Sequence, residues 1–115
     1  MPDIKAKEDL IAIYKDLKEK FYAMNPELEL VVRDPDMDVE GFVVVWNTKI
    51  SLGGPLNSCG KGGTRIKKGL TIDEIRRLAR SMAEKNAAAG MPLGGAKSGL
   101  NTDPTAPNYE QKYRR

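Results

Sequence analysis

The sequence contains no histidine, which removes the commonest general acid or base and the commonest metal ligand from any candidate site. Cys59 is the only cysteine, so an intrachain disulfide is excluded and a reducing, cytoplasmic setting is favoured. No apolar run approaches the roughly 20 residues of a membrane-spanning helix, and the first residues lack the apolar core of a signal peptide. Any catalysis must therefore use Lys, Asp, Glu, Tyr, the single Cys or a cofactor.

The chain is also poor in aromatic residues and carries a net charge of only +3. Its 115 residues, 40% hydrophobic and 30% charged, suit one domain over residues 1–115 with one modest core. Residues 1–56 have 7 basic and 11 acidic side chains, whereas residues 57–115 have 12 and 5. The basic half has only Tyr109 and Tyr113 as aromatics, a poor stacking platform, which disfavours nucleic-acid binding.

Hydrophobic spacing predicts two long helices. Apolar residues recur at helical intervals from about Ala6 to Met24, and Asn25-Pro26 ends that segment. Thr71-Ile72-Asp73-Glu74 is a capping box that begins a second helix, and Gly90 is its expected C-cap. The apolar stripe of this helix is predicted to run through Ile75, Leu78, Met82 and Lys85.

Alternation of apolar and polar residues predicts a half-buried strand over residues 28–33, and a continuously apolar run predicts a central strand over residues 41–46. Glycine-rich segments at residues 52–63 and 93–99 are predicted loops, with a short strand at residues 64–66. The expected fold is therefore α/β, a small mixed sheet flanked by the two long helices. Asp34-Pro35-Asp36 has the composition of a turn between the first two strands.

A last helix is expected to begin at Tyr109, with Asn108 as its cap, and would have barely one and a half turns before Arg115. We therefore expect the chain to be a domain fragment that is cut inside a helix.

Three lysines have unusual sequence neighbours. Lys61 and Lys97 lie among glycines, which allow backbone or a ligand to approach closely, and Lys85 falls on the predicted apolar stripe. Lysines placed in this way indicate a site that captures a small anion and tunes an amine for chemistry. The alternatives are a lysine that snorkels at a helix C-terminus for Lys85 and a solvated lysine in a glycine turn for Lys97.

Two other kinds of site fit the sequence less well. A phosphate-binding P-loop requires Gly-x4-Gly-Lys-Ser/Thr, but Ala96 intervenes before Lys97, and the count from Gly54 to Gly60-Lys61 is one residue too long. The acidic residues at 34–38 lack the glycine and terminal glutamate of a calcium loop. An unrelated phosphate-binding protein and a metal site are both disfavoured.

Several separated blocks of sequence occur in a fixed order. They are Gly62-Gly63-Thr64-Arg65, Leu78-Ala79-Arg80-x-Met82-x-x-Lys85-Asn86-Ala87-Ala88-Ala89-Gly90, Pro92-Leu93-Gly94-Gly95-Ala96-Lys97-x-Gly99 and Asp103-Pro104. Together they resemble the N-terminal domain of the glutamate/leucine/phenylalanine/valine dehydrogenases. The intervals of 24 and 12 residues between the three lysines are also those of this family.

The resemblance implies oxidative deamination of an L-amino acid to a 2-oxo acid and ammonia, with hydride passing to NAD or NADP. It implies that Lys85 holds the substrate α-carboxylate and that Lys97 is the catalytic lysine. Lys61 would meet the side-chain carboxylate of an acidic substrate, so that a glutamate-like substrate is slightly favoured. The residues implied to line the substrate pocket are Gly62, Gly63, Met82, Gly94 and Gly95.

The sequence departs from the family pattern in two respects. The loop before Lys61 is longer than usual, with Gly54 to Gly60 in place of a shorter glycine turn. The family's catalytic aspartate and its nucleotide-binding (Rossmann) domain have no counterpart in this chain, which is therefore expected to be inactive alone. The family also implies a homo-oligomer. The alternative function is a free-standing, non-catalytic assembly or ligand-sensing module derived from the same domain.

Overall fold

A computed structural model describes residues 4–50 and 58–114. The elements in chain order are α1 (Ile4–Ala23), β1 (Leu28–Asp34), β2 (Val39–Trp46), a 3-10 turn (Thr48–Ile50), β3 (Gly60–Lys61), β4 (Thr64–Ile66), α2 (Ile72–Ala88), β5 (Gly94–Asn101) and α3 (Tyr109–Arg114). The predicted α/β fold is confirmed. The part of the predicted glycine loop before residue 58 lies outside the described residues.

The five strands form one mixed sheet in the order β1-β2-β5-β3, and β4 pairs with the same central strand β5. β1 and β2 are an antiparallel hairpin, and β2 is also antiparallel to β5. β3 and β4 are both parallel to β5. The hairpin turn forms where it was predicted, because Asp34 Oδ1 accepts the N–H groups of Asp36 at 3.0 Å and Met37 at 3.3 Å.

α2 covers one face of the sheet and closes the core. Its buried residues Ile75, Ala79 and Ala83 pack with Val44 and Trp46 from the central strand β2. Successive residues of a strand point to opposite faces, and Phe42, Val44 and Trp46 of β2 are the alternate residues buried under α2. The core is therefore one-sided.

Local chemistry sets both ends of α2 as predicted. Thr71 Oγ1 accepts the N–H of Glu74 at 3.3 Å, which caps the first turn. After the helix, Gly90 has a φ of +72°, and the N–H of Met91 donates to the oxygen of Asn86 at 2.9 Å. This is the Schellman arrangement, in which a glycine takes the left-handed conformation that other residues resist.

The predicted loop at residues 93–99 is wrong, because these residues form most of the strand β5. The glycines serve a close approach between helix and strand. A Cβ on Gly95 would lie 1.9 Å from the oxygen of Ala79, and one on Gly99 would lie 2.5 Å from Leu70 Cδ2. Glycine is required here because α2 rests directly on the backbone of the strand.

α1 forms where a helix was predicted, but it does not flank the sheet as expected. Leu10, Tyr14 and Leu17 on its apolar stripe are 59–66% exposed. Near the end of the helix, the ring of Phe21 packs edge-on against Trp46 with 4.5 Å between centroids. An apolar stripe predicts a helix, but it does not say which surface covers that stripe.

β1 is also confirmed as a strand, but it is exposed on both faces rather than half-buried. Residues that pair directly across an antiparallel ladder share a face, so the register assigns one apolar set to the side away from α2. We call this side the open face. It comprises Leu28, Leu30, Val32, Val43, Val45, Ala96 and Leu100.

Candidate functional site

The candidate site lies where β3 and β4 run along one edge of β5. Lys61 pairs with Gly95, and Thr64 pairs with Ser98, so that residues 62 and 63 pass alongside the position of Lys97. The N–H of Ser98 donates to the oxygen of Gly63 at 3.2 Å. The topology therefore brings two of the three predicted lysines to one edge of the sheet.

Lys97 is directly opposite Val44 in the ladder, so its side chain starts on the face covered by α2. Its Nζ lies 3.7 Å from the place where a Cβ on Gly63 would stand. A Cβ on Gly62 would lie 1.5 Å from the oxygen of Ala96 and 3.2 Å from Met82 Cγ. The structure thus brings the half-buried Lys97 beside Gly63, and Gly62 beside Met82 and the main chain of Ala96.

Lys85 is exposed, so its predicted place on the apolar stripe of α2 is wrong. The buried line of α2 consists of Ile75, Ala79, Ala83 and Asn86. The small side chains of Ala79 and Ala83 allow the helix to approach the sheet closely, and the bulkier Leu78 and Met82 of the predicted stripe flank that line. Lys85 lies in the last turn of α2, where a cation interacts favourably with the helix C-terminus.

Gly94 and Gly95 are buried and enclosed by backbone. A Cβ on Gly94 would lie 2.4 Å from the oxygen of Asn47, and Gly95 faces the main chain of α2. Because these glycines have no side chains, the backbone at Asn47 and the backbone of α2 can lie directly against β5. Their contact with a substrate stays a prediction, as does that of the exposed Lys61.

Asn86 and a pair of hydroxyl groups at this edge were not predicted from the sequence. Asn86 Nδ2 donates to the main-chain oxygens of Lys61 at 3.2 Å and Gly94 at 2.8 Å. Thr64 Oγ1 and Ser98 Oγ lie 2.6 Å apart. The spacing of Asn86 after Ile75, Ala79 and Ala83 places it on the same helix face as these apolar residues. This spacing could have identified it, since a polar residue on a buried face needs hydrogen-bond partners.

Two carboxyl groups outside this edge have lowered pKa values. The hydroxyl of Thr105 donates to Asp103 at 2.6 Å and its N–H donates at 2.9 Å, and these bonds lower the pKa of Asp103. Hydrogen bonds from Arg76 lower the pKa of Glu29. Asp103 thereby fixes the turn after β5, and Glu29 ties β1 to α2.

One strand–helix–strand unit occurs among the described residues, and its glycine content bears on dinucleotide binding. β4, α2 and β5 form a parallel strand–helix–strand unit, but the connection into α2 holds a single glycine, Gly69, and lacks the Gly-x-Gly-x-x-Gly turn that cradles a pyrophosphate. No group of three His, Cys, Asp or Glu side chains in the described ranges could hold a metal ion. No helix in the same ranges is long and apolar enough to cross a membrane.

The fold is a small α/β domain in which two lysines, Lys61 and Lys97, lie at one edge of the sheet. Residues 26–115 match the family described as "Glu/Leu/Phe/Val dehydrogenase, dimerisation domain". The chain therefore belongs to this family.

Two curated relatives and one solved structure give the range of similarity. The chain is 33% identical over 93 residues to the NAD-specific glutamate dehydrogenase of Peptoniphilus asaccharolyticus, covering 81% of this chain and 21% of that protein. It is 42% identical over 57 residues to the leucine dehydrogenase of Bacillus subtilis, covering 46% and 16%. The L-tryptophan dehydrogenase of Nostoc punctiforme shares its fold, with a TM-score of 0.60, 22% identity and coverage of 83% and 28%. The chain spans about a fifth of the length of the curated relatives that it matches across most of its own length.

Proposed function

We propose that this chain is the substrate-binding and subunit-contact segment of an NAD(P)-dependent L-amino-acid dehydrogenase. The observation that carries the proposal is the position of Lys97 Nζ beside Gly63, where the absence of a side chain leaves the amine approachable. A half-buried amine beside a glycine can contact a small anionic substrate directly, because no side chain stands between them.

Each of the three lysines would have a separate role in substrate binding or in the reaction. Lys97 would stabilise the charge that develops as water adds to the substrate carbon and ammonia leaves. Lys85 would hold the α-carboxylate, and its exposed position at the end of α2 leaves it accessible to a ligand. Lys61 would hold a second carboxylate.

Lys61 is the reason for slightly favouring a glutamate-like substrate. The relatives named above carry the names of glutamate, leucine and tryptophan dehydrogenases, so membership of the family does not select among acidic, aliphatic and aromatic substrates. A cation beside the pocket discriminates in favour of a dicarboxylate, because it gives the second carboxylate a partner that an apolar side chain cannot use.

The cofactor would accept hydride from the substrate, and a part of the protein beyond this chain would hold it, since the described residues lack a pyrophosphate-binding turn. The chain by itself is therefore expected to be inactive. It would still contain half of the substrate site, namely the catalytic Lys97 and the carboxylate-binding Lys85 and Lys61.

Self-association would use β1 and the open face. Leu28, Leu30, Val31 and Val32 are 48–55% exposed on both faces of a strand whose only partner among the described residues is β2. Exposed apolar strands at a sheet edge are templates for pairing, and the matched family is named for dimerisation. We therefore assign this surface to contact between copies of the chain.

The proposal is tested with the full-length protein that contains this chain. Reduction of NAD or NADP is measured with glutamate, leucine and tryptophan, in the wild type, in Lys97→Ala and in the matched control Lys20→Ala, whose side chain is 70% exposed on α1. We expect Lys97→Ala to lose activity by about 10²–10⁴-fold and Lys20→Ala to retain it.

Full activity in Lys97→Ala would overturn the assignment of the catalytic lysine. Absence of activity with all three amino acids, together with retained binding of one of them, would favour the non-catalytic ligand-sensing module instead.

A further inference from the structure

Asn86 is a polar residue of α2 that is only 1% exposed. Its carboxamide Nδ2 donates to the oxygen of Lys61 at 3.2 Å and to the oxygen of Gly94 at 2.8 Å. Its own main-chain oxygen accepts the N–H of Met91 at 2.9 Å. One residue therefore joins the end of α2 to β3 and to the start of β5.

The strand that carries Lys61 is short. β3 has two residues, which pair with β5 at Gly60 with Gly94 and at Lys61 with Gly95. So short a strand makes few ladder hydrogen bonds, and the bond from Asn86 to the oxygen of Lys61 is the side-chain bond that ties its main chain to α2. Lys85, in contrast, is carried by the helix itself.

Asparagine suits this position because its amide provides two N–H donors for two carbonyl oxygens. Aspartate has the same shape but no such donors, and its oxygens would face two carbonyl oxygens. A substitution by aspartate thus removes the hydrogen bonds while nearly preserving the volume. The carbonyl of Gly94 would also be left buried without this partner.

We propose that Asn86 is a positioning residue for Lys61, and through it a determinant of selectivity for ligands with a second carboxylate. The inference rests on the proposed function, in which Lys61 meets that second carboxylate. Loss of the amide frees β3 to shift relative to α2 and leaves Lys85 in place. Binding of a dicarboxylate should then weaken, while binding through one carboxylate should persist.

The experiment uses the full-length protein with glutarate and pentanoate as competitive inhibitors, which have the same chain length and differ by one carboxylate. We expect Asn86→Asp to raise the inhibition constant of glutarate about tenfold and that of pentanoate less than about threefold. Asn86→Ser is the second variant, with a shorter side chain and no added charge. Hydrogen exchange of the peptide spanning residues 58–63 should become faster in both.

The control is Ile75→Val, which alters a fully buried side chain near the start of α2 and leaves the contacts of Asn86 intact. It should lower the melting temperature without changing the ratio of the two inhibition constants. An unchanged ratio in both Asn86 variants would overturn the proposal. So would an equal change in Ile75→Val, because the effect would then reflect stability alone.

The proposed function and the role of Asn86 can be refuted separately. If the full-length protein neither oxidises amino acids nor binds glutarate, the proposed function is wrong, and hydrogen exchange alone decides the role of Asn86. Faster exchange over residues 58–63 in the Asn86 variants than in Ile75→Val would establish that Asn86 holds Lys61. Equal exchange would refute it.

Discussion

Replacing Gly95 with alanine tests the direct contact between α2 and β5. The new Cβ would lie 1.9 Å from the oxygen of Ala79 and 2.7 Å from the nitrogen of Ala83, whereas ordinary contact begins near 3.4 Å. The difference between 3.4 and 1.9 Å means that the helix would have to withdraw by about 1.5 Å. The obstructing atoms belong to the helix backbone, so a change of side-chain rotamer cannot relieve the clash.

The expected cost follows from what that movement would disrupt. α2 contributes Ile75, Ala79 and Ala83 to the one-sided core, and its withdrawal would loosen their packing against Val44 and Trp46. Overpacking a core costs about 1–3 kcal/mol. Because main chain rather than side chain is displaced, we expect a loss near the upper end, about 3 kcal/mol, in the free energy of unfolding measured with urea.

Gly41→Ala is the matched control, a second glycine in the same sheet. A Cβ on Gly41 would have Leu100 Cδ2 as its nearest neighbour at 3.5 Å, an ordinary contact. Alanine in the interior of a strand is favoured over glycine by roughly 0.5–1 kcal/mol, so this variant should be as stable as the wild type or slightly more so. If Gly95→Ala unfolded at the same urea concentration as Gly41→Ala, the inferred contact would be refuted.

Three further changes test other parts of the molecule. Thr71→Ala should destabilise the chain by about 1 kcal/mol in urea unfolding, since it removes the N-cap of α2, and Thr71→Ser should restore most of the loss. Leu30→Asp on the open face should weaken self-association by about tenfold or more in analytical ultracentrifugation; an unchanged dissociation constant would exclude β1 from the interface. The pKa of Glu29 is lowered from its usual 4.5 by its hydrogen bonds with Arg76. The contribution of ionised Glu29 to folding stability is therefore complete above that value and disappears as pH falls through the lowered pKa. The advantage in melting temperature of the wild type over Arg76→Gln should therefore shrink as the pH falls below 4.5, and a constant difference would contradict this.

Features governed by neighbouring residues could be predicted from the sequence. The cap at Thr71 and the glycine at position 90 specify the ends of α2 through local hydrogen bonds and backbone conformation, and both were found as expected. The hairpin turn after Asp34 follows from the same kind of local chemistry. The strands β1 and β2 followed from their patterns of apolar residues.

Features that depend on distant residues could not be predicted in the same way. The glycines of β5 indicate a loop when only sequence neighbours are considered, but they serve the approach of a helix to the strand. The buried line of α2 uses Ala79, Ala83 and Asn86, because closeness to the sheet matters more than the size of the apolar side chain. The lysines could be recognised as a set, whereas the position of Lys97 beside Gly63 required the pairing of three strands.

The glycines under α2 also have a consequence for folding fidelity. Slipping β5 by one residue would turn Lys97 to the open face and bring the other set of side chains under the helix. The place of Gly99 would then fall to Ser98 or Leu100, although its Cβ position lies 2.5 Å from Leu70 Cδ2 and 2.7 Å from Ile75 Cδ1. A misaligned strand would therefore prevent α2 from docking. Docking of α2 therefore requires the strand register in which the side chain of Lys97 starts on the face that the helix covers.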